Sequence, residues 1–136
     1  MTTILSKSIL YIVFLLLGFF QSINAQIINK KDVVNHWKLN KYSINSKNYS
    51  PPKKDAGDYL LFTNDMSFTT VFEGVKEFGE WNLNPKKGII YLHENKDDKN
   101  PLKLYIQKLT SNSLIIRLDI FMLRKIDFHY TAKKND

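Results

Sequence analysis

Residues 58–83 read DYLLFTNDMSFTTVFEGVKEFGEWNL, and the fold class can be inferred from the pattern that begins here. Turn residues divide it, with Asn64-Asp65 near the middle and Gly74 further along. Between them lie three short runs rich in aromatic and aliphatic residues, at residues 58–63, 67–73 and 76–83. Runs of this length and composition, bounded by turn residues, are typical of β-strands joined as hairpins. The stretch therefore predicts three consecutive antiparallel strands.

The same pattern continues on both sides of this stretch. Upstream, residues 37–44 place Trp37 and Leu39 on one face of a strand and Tyr42 and Ile44 on the other. A β-bulge between the two pairs would explain the change of face. Downstream, four further strands are predicted at residues 89–93, 102–109, 113–120 and 125–133. Eight short strands separated by turns are typical of a β-sandwich or an up-and-down barrel. We therefore expect an all-β antiparallel fold.

Two connecting segments stand out. Residues 45–57 form a polar connection with Pro51-Pro52 at its centre, and a connection of this length is either functional or mobile. The segment between the last two strands contains Phe121, Met122 and Leu123 but no Gly, Pro or Asn. If exposed, these three residues would form an apolar interaction surface. The alternative, which we favour, is that the strands run longer and these residues cap the end of the barrel.

The N-terminal segment has the features of a secretory signal peptide. Lys7 supplies a basic start, an apolar run extends from Ile9 to Phe20, and Ala25 provides a small residue for cleavage before Gln26. The alternative is a membrane anchor, but a spanning helix needs about 20 apolar residues. We predict that residues 1–25 are removed and that residues 26–136 form one domain, periplasmic or secreted. No other stretch is long or apolar enough to span a membrane.

Composition and charge exclude several classes of function. The 136-residue chain has no cysteine, so disulfides, a cysteine nucleophile and a thiolate metal site are excluded. The formal charge of +7 comes almost entirely from scattered lysines, because Arg117 and Arg124 are the two arginines. Base readout favours arginine, so we expect no nucleic-acid partner.

Residues that carry catalytic or metal chemistry are sparse. His36, His93 and His129 lie on separate predicted strands without metal-ligand spacing, and no nucleophile or phosphate-binding motif occurs. We expect no metal, no cofactor and no enzymatic activity. An enzyme would need a polar cluster inside the barrel, and Tyr42, Arg117 or His129 facing inward would be its first sign.

Several sequence landmarks together resemble those of small bacterial lipocalin-like domains of exported proteins. They are Trp37-Lys38-Leu39, Tyr59 to Phe62, Asn64 to Phe68, Gly79 to Leu83, Ile90 and Leu92, Ile106 to Thr110, Leu114, and Phe128 to Lys133. The resemblance covers about residues 34–133. It implies an eight-stranded up-and-down barrel with one open end, over which residues 45–57 form the large loop.

The chain departs from the lipocalin pattern at two positions. Asn35-His36-Trp37 stands where lipocalins have Gly-x-Trp, and Lys133 stands where they have a basic residue, often arginine, that covers this tryptophan. Asn adopts left-handed backbone more readily than most residues, so the local geometry can be kept. These departures are those of a divergent member.

The predicted inward-facing residues are mostly large, with Thr70 and Gly79 as the small exceptions. An eight-stranded barrel is filled by side chains or holds one small ligand. We expect a filled lower half and a shallow cavity near the mouth. The predicted ligand contacts are Trp37, Phe62, Phe68, Thr70, Trp81, Leu104, Ile116, Phe128 and Tyr130.

Two functions follow from this pattern. The first is a monomeric, non-enzymatic protein that binds a small apolar ligand. The second is a filled barrel without a small-molecule ligand, which acts in protein interaction or in the cell envelope. Its contact surface would be Phe121, Met122 and Leu123, or the loop of residues 45–57, called the mouth loop below. An open void at the end covered by residues 45–57 would favour the first, and a solid interior the second.

Overall fold

The computed structural model describes residues 26–134; the predicted signal peptide, including Ala25, lies outside this range. The described chain contains one short α-helix, α1 (Lys30–Val33), two single turns of 3₁₀ helix and nine strands. The strands are β1 (Asn35–Ile44), β2 (Lys47–Tyr49), β3 (Tyr59–Phe62), β4 (Ser67–Phe72), β5 (Val75–Asn84), β6 (Ile89–His93), β7 (Leu102–Leu109), β8 (Ser113–Leu118) and β9 (Ile126–Ala132).

Eight of the strands close into an antiparallel barrel. Each strand from β3 to β8 pairs with the next in sequence, and β1 pairs with both β3 and β9. On β1, Trp37 faces Leu60 of β3 and Ala132 of β9, and this pairing closes the seam. The predicted eight-stranded up-and-down barrel is therefore confirmed.

The strand outside the barrel, β2, corrects the prediction that residues 45–57 are a loop throughout. The chain turns back at Asn45 and Ser46, whose φ angles are 49° and 65°. Lys47–Tyr49 then pairs with the end of β1, with Tyr49 opposite Tyr42. Two successive positive φ angles are what a two-residue hairpin of type I′ requires. The mouth loop therefore begins as a hairpin.

The predicted bulge in β1 is confirmed. The register of β1 against β9 shifts between Leu39 and Lys41, so that Leu39 faces Tyr130 and Tyr42 faces Phe128. An extra residue reverses the alternation of side chains. Tyr42 therefore lies on the same inner side of the barrel as Trp37 and Leu39.

The end of the barrel where β1 begins is closed and tightly packed. Val33 of α1 and Trp37 are fully buried, and the indole Nε1 of Trp37 donates a 2.8 Å hydrogen bond to the Val33 carbonyl. Trp81 packs edge-on against Phe62, and its Nε1 donates to the Thr63 carbonyl at 3.2 Å. Apolar burial on this scale is the main source of stability in a barrel without disulfides.

Candidate functional site

A cavity of about 430 Å³ opens at the other end of the barrel, where β1 and β8 end and β9 begins. The wall is mostly apolar and is formed by Ile44, Tyr49, Pro52, Phe72, Leu102, Leu118, Ile120, Leu123, Ile126 and Phe128. The cavity lies at the end covered by residues 45–57, where a shallow cavity is predicted from the sequence.

The mouth loop contributes one side of this cavity and is held in place by its own backbone. Lys53–Asp55 forms a single turn of 3₁₀ helix. The Asp55 N–H donates to the Pro52 carbonyl at 2.9 Å, and the Asp58 N–H donates to the Asp55 carbonyl at 3.0 Å. This turn directs Asp55 inward, so that its side chain is only 4% exposed and lines the cavity.

Asp58 forms a second acidic position on the cavity wall. Its carboxylate accepts hydrogen bonds from the backbone N–H groups of Glu73 at 2.7 Å and Gly74 at 3.1 Å, at the turn between β4 and β5. Burial raises the pKa of Asp58, and the two N–H donors oppose that rise. Asp58 therefore ties the start of β3 to the neighbouring turn.

Tyr42 and Asp55 form a hydrogen-bonded pair on the same wall. The Tyr42 hydroxyl donates to Asp55 Oδ2 at 2.9 Å. Burial, together with the hydrogen bond to Asp55, raises the pKa of Tyr42, so the phenol stays protonated at neutral pH. The other carboxylate oxygen, Asp55 Oδ1, is buried without a hydrogen-bond partner among the described residues.

Two buried hydroxyl groups also have no hydrogen-bond partner in the described part of the chain, namely those of Thr70 and Tyr130. Burial raises the pKa of Tyr130 well above its ordinary value, and electrostatic interactions with the Tyr42 hydroxyl and the Asp58 carboxylate add to this rise. Tyr130 therefore stays neutral.

The predicted ligand contacts lie mostly below this cavity. Of the nine, Phe128 lines it. Six form the packed core at 0–2% exposure, because large side chains fill the lower barrel: Trp37, Phe62, Trp81, Leu104, Ile116 and Tyr130. Thr70 is buried, and Phe68 borders a second, more polar groove of about 550 Å³ beside residues 98–103. A ligand-binding role for these eight residues stays a prediction.

Sequence reasoning missed Asp55 and Asp58 as site residues. Polar residues in a Pro-rich connection ordinarily indicate a solvent-exposed loop. The direction of the Asp55 side chain depends on the 3₁₀ turn and on Tyr42, thirteen positions earlier in the chain. The alternation of apolar residues along the strands does not indicate that contact.

The three side chains named as signs of an enzyme have different positions. Tyr42 faces the cavity and bonds to Asp55 there, so this one of the three signs is present. Arg117 lies on the outer surface, where its Nε is 2.6 Å from Asp127 Oδ1.

His129 also lies on the outer face of the barrel, because it alternates along β9 with the inward residues Phe128 and Tyr130. Its Nε2 lies 2.7 Å from Ser43 Oγ. Burial, followed by the charge of Lys41, lowers the pKa of His129.

The segment between β8 and β9 combines the two predicted alternatives. The favoured prediction that the strands run longer is wrong, because β8 ends at Leu118 and Phe121–Leu123 forms a 3₁₀ turn. Leu123 lines the cavity, whereas Phe121 and Met122 are each 82% exposed. The turn thus caps the mouth with one side chain and presents two to solvent.

Among residues 26–134, no group of three or more His, Asp or Glu side chains is arranged to hold a metal ion. Within the same residues, no helix is long and apolar enough to cross a membrane.

Comparison with solved structures shows a lipocalin-like fold. A lipocalin-like protein from Bacteroides uniformis ATCC 8492 superposes with a TM-score of 0.51 at 16% identity, covering 75% of this chain and 99% of that one. A DUF4847 family protein from Bacteroides vulgatus ATCC 8482 gives a TM-score of 0.48 at 15% identity, covering 85% of this chain and 99% of that one. No family model and no curated protein matches the sequence.

Proposed function

We propose that this lipocalin-like chain is an exported, non-enzymatic protein that binds one small, largely apolar molecule in the mouth cavity. The observation that carries the proposal is an apolar-walled cavity of about 430 Å³ at the open end of a closed barrel. Small-molecule sites are commonly concave, mostly apolar, and supplied with a few polar groups that orient the ligand. Burial of apolar ligand surface contributes about 25 cal/mol per Å².

The packing of the lower barrel supports a ligand at the mouth rather than deep inside. Trp37, Leu60 and Tyr130 are at most 1% exposed, and they fill the space below the cavity. We therefore expect the ligand to contact Phe72, Leu123 and Phe128. Trp37 and Trp81 would then stabilise the barrel without touching the ligand.

The position of the Ser43–His129 pair supports a non-enzymatic role. Ser43 and His129 form the kind of hydroxyl–imidazole pair that a hydrolase uses, but they lie on the outer face of the barrel. The nearby carboxylate of Asp127 is engaged by Arg117. Nucleophilic catalysis also needs a substrate site beside the pair, and neither residue lines the mouth cavity.

Export is proposed from the N-terminal sequence. The basic residue Lys7, the apolar run and Ala25 have the order of a signal peptide. We expect the mature protein to begin at Gln26 and to be recovered from the periplasm or the medium. Intact-mass measurement of the protein from its own host tests this. A mass that includes residues 1–25 in the membrane fraction would favour the anchor instead.

A cavity-filling variant tests the binding proposal. We expect N-phenyl-1-naphthylamine, a neutral apolar fluorophore, to gain fluorescence with the wild-type protein in a saturable way. Leu123→Trp fills the cavity from its rim and should weaken this binding at least about tenfold. Met122→Trp is the matched control, because Met122 adjoins Leu123 in sequence but is itself 82% exposed. Equal loss in both variants, or no saturable binding by the wild type, would contradict the proposal.

A protein-interaction role is the second candidate. It is favoured by Phe121 and Met122, which are 82% exposed beside Arg124, whose guanidinium lies 6.0 Å from the Phe121 ring. Exposed apolar side chains rimmed by charge are typical of contact surfaces. A Phe121→Ser, Met122→Ser double variant tests this role in pull-downs from the host envelope. A partner retained by the wild type and lost by the variant would support it.

A further inference from the structure

We propose that the ligand of the mouth cavity is an organic cation, with an apolar body and one protonated amine that binds at Asp55. This proposal rests on the proposed function, because it names the chemical class of the molecule that the same cavity would hold. Three observations support it: the charge of the cavity wall, the missing hydrogen-bond partner of the Asp55 carboxylate, and the aromatic residues of the wall.

The charged residues of the cavity wall are mostly acidic, although the whole chain is basic. Asp55, Asp58 and Glu73 line the cavity, and Lys54 is the cation among its lining residues. Lys54 Nζ pairs with Glu73 Oε2 at 3.5 Å, at the exposed rim. Asp55 and Asp58 therefore leave net negative charge inside, in a protein of formal charge +7. A carboxylate ligand would be repelled there, and a cation attracted.

The two inner carboxylates differ in how far they are satisfied. Asp58 accepts a backbone N–H on each of its oxygens, from Glu73 and Gly74. The Asp55 carboxylate accepts one hydrogen bond, from Tyr42 to Oδ2, and its Oδ1 has no partner among the described residues. Since an ionised carboxylate acts only as an acceptor, Asp55 is the position on this wall that lacks a donor.

Burial makes that missing donor important. Asp55 is only 4% exposed, so its carboxylate is largely shielded from bulk water, and a further donor would have to reach it through the cavity that it lines. A buried polar group without a partner is unfavourable, and a charged one more so. An ammonium group supplies up to three N–H donors together with the opposite charge. A ligand that brings this group relieves the cost that Asp55 carries alone.

Aromatic residues complete a site for a cation with an apolar body. Tyr42, Tyr49, Phe72 and Phe128 line the cavity, and Tyr42 packs edge-on against Phe128 at 5.1 Å between ring centroids. The faces of aromatic rings attract ammonium groups in desolvated sites. Apart from the charged residues named above, the other wall residues are aliphatic, which suits an alkyl or aryl body.

A matched series of ligands tests the proposal with the wild-type mature protein. The series is 2-(1-naphthyl)ethylamine, 3-(1-naphthyl)propionate and 2-(1-naphthyl)ethanol, which share one apolar body and differ in charge. Each displaces N-phenyl-1-naphthylamine in a fluorescence competition at pH 7.5. We expect the amine to bind at least about tenfold more tightly than the alcohol, because it adds a charge-assisted hydrogen bond. The carboxylate should bind most weakly of the three.

Charge-neutralising variants assign the effect to one residue. Asp55→Asn keeps the shape of the side chain and should reduce the preference for the amine over the alcohol, measured as the ratio of their affinities in the same variant, to less than about twofold. Asp97→Asn, in the exposed loop between β6 and β7, removes the same charge outside the cavity and should leave the preference intact.

The outcomes separate the two proposals. If the fluorophore binds but the three ligands compete equally, or the carboxylate competes best, the cation proposal is overturned and the proposed function stands. If the fluorophore does not bind the wild type, the proposed function itself fails. An amine preference that Asp55→Asn retains would overturn the assignment to Asp55. Should that variant fail to fold, the wild-type ligand series still decides whether the site selects a cation.

Discussion

Trp37 illustrates how one residue connects the sequence pattern to the closed end of the barrel. Its side chain is fully buried, and its indole nitrogen binds the carbonyl of Val33 in α1. Lys133, after β9, donates its backbone N–H to the carbonyl of His36 at 2.8 Å. Trp37 therefore joins the helix to the seam where the barrel closes.

Removing this side chain should destabilise the protein strongly. We expect Trp37→Ala to lower the free energy of unfolding by about 3–5 kcal/mol, because it leaves a large cavity and an unpaired carbonyl. Urea denaturation followed by circular dichroism measures the change. Phe121→Ala, at an 82% exposed position, should change it by less than about 0.5 kcal/mol. Similar losses for both variants would contradict the role of Trp37 in the core.

Gly79 shows the opposite requirement, a position where a side chain cannot fit. A Cβ at this position would lie 2.1 Å from the His93 carbonyl oxygen and 2.7 Å from Cε1 of Phe68. Phe68 is the cross-strand partner of Gly79 on β4. The aromatic ring thus occupies the space above the glycine.

We expect Gly79→Ala to destabilise the barrel by about 1–3 kcal/mol, since the strands must move apart to accommodate the methyl group. Gly57→Ala is the matched control, because nothing lies within 4 Å of a Cβ there. Thermal unfolding of the two variants compares them directly. An unchanged melting temperature for Gly79→Ala would mean that β4 and β5 do not pack as closely as described.

At the scale of the elements, the strands were predictable because each is encoded locally. The bounds of β6 and β7 agree with their predictions, since Gly88 precedes one and Pro101 precedes the other. The bulge of β1 was predictable from its change of apolar face. Period-two alternation and turn residues are properties of neighbouring positions, and they need no knowledge of the fold.

The mouth was less predictable because contacts between distant residues build it. Asp58 binds the turn at Glu73 and Gly74, and Tyr42 binds Asp55, across connections that alternation does not describe. The sequence predicted a cavity near the mouth and a filled lower barrel. Its candidate contacts, apart from Phe128, came from the alternation and lie outside that cavity.

The hairpin between β1 and β2 carries local strain that a substitution can relieve. Ser46 has a φ of 65°, a conformation that glycine adopts at little cost. We expect Ser46→Gly to stabilise the protein by about 0.5–1 kcal/mol. Ser111→Gly, in the turn between β7 and β8, should give no gain, because Ser111 is not among the described residues with positive φ. Chemical denaturation compares the two, and a loss of stability in Ser46→Gly would argue against this turn.

At the scale of the whole molecule, two histidines lie on β1 and β9, the strands whose pairing closes the barrel. His36 stacks at a tilt on Tyr59, with ring centroids 4.7 Å apart, and His129 shares a hydrogen bond with Ser43. Burial lowers the pKa of each, and the neighbouring Lys133 and Lys41 respectively lower it further. Both imidazoles therefore resist protonation in the folded protein more than in the unfolded chain.

The direction of these shifts fixes how stability depends on pH. The unfolded chain takes up protons at the ordinary histidine pKa of about 6.5, whereas the folded protein does so only at lower pH. The free energy of unfolding should therefore fall as the pH drops from 7.5 to 5.5, since the unfolded state binds more protons across this interval. Midpoints of urea denaturation at the two pH values measure the fall. The double variant His36→Gln, His129→Gln removes both groups and should show a smaller fall, whereas an equal fall would place the titrating groups elsewhere in the barrel.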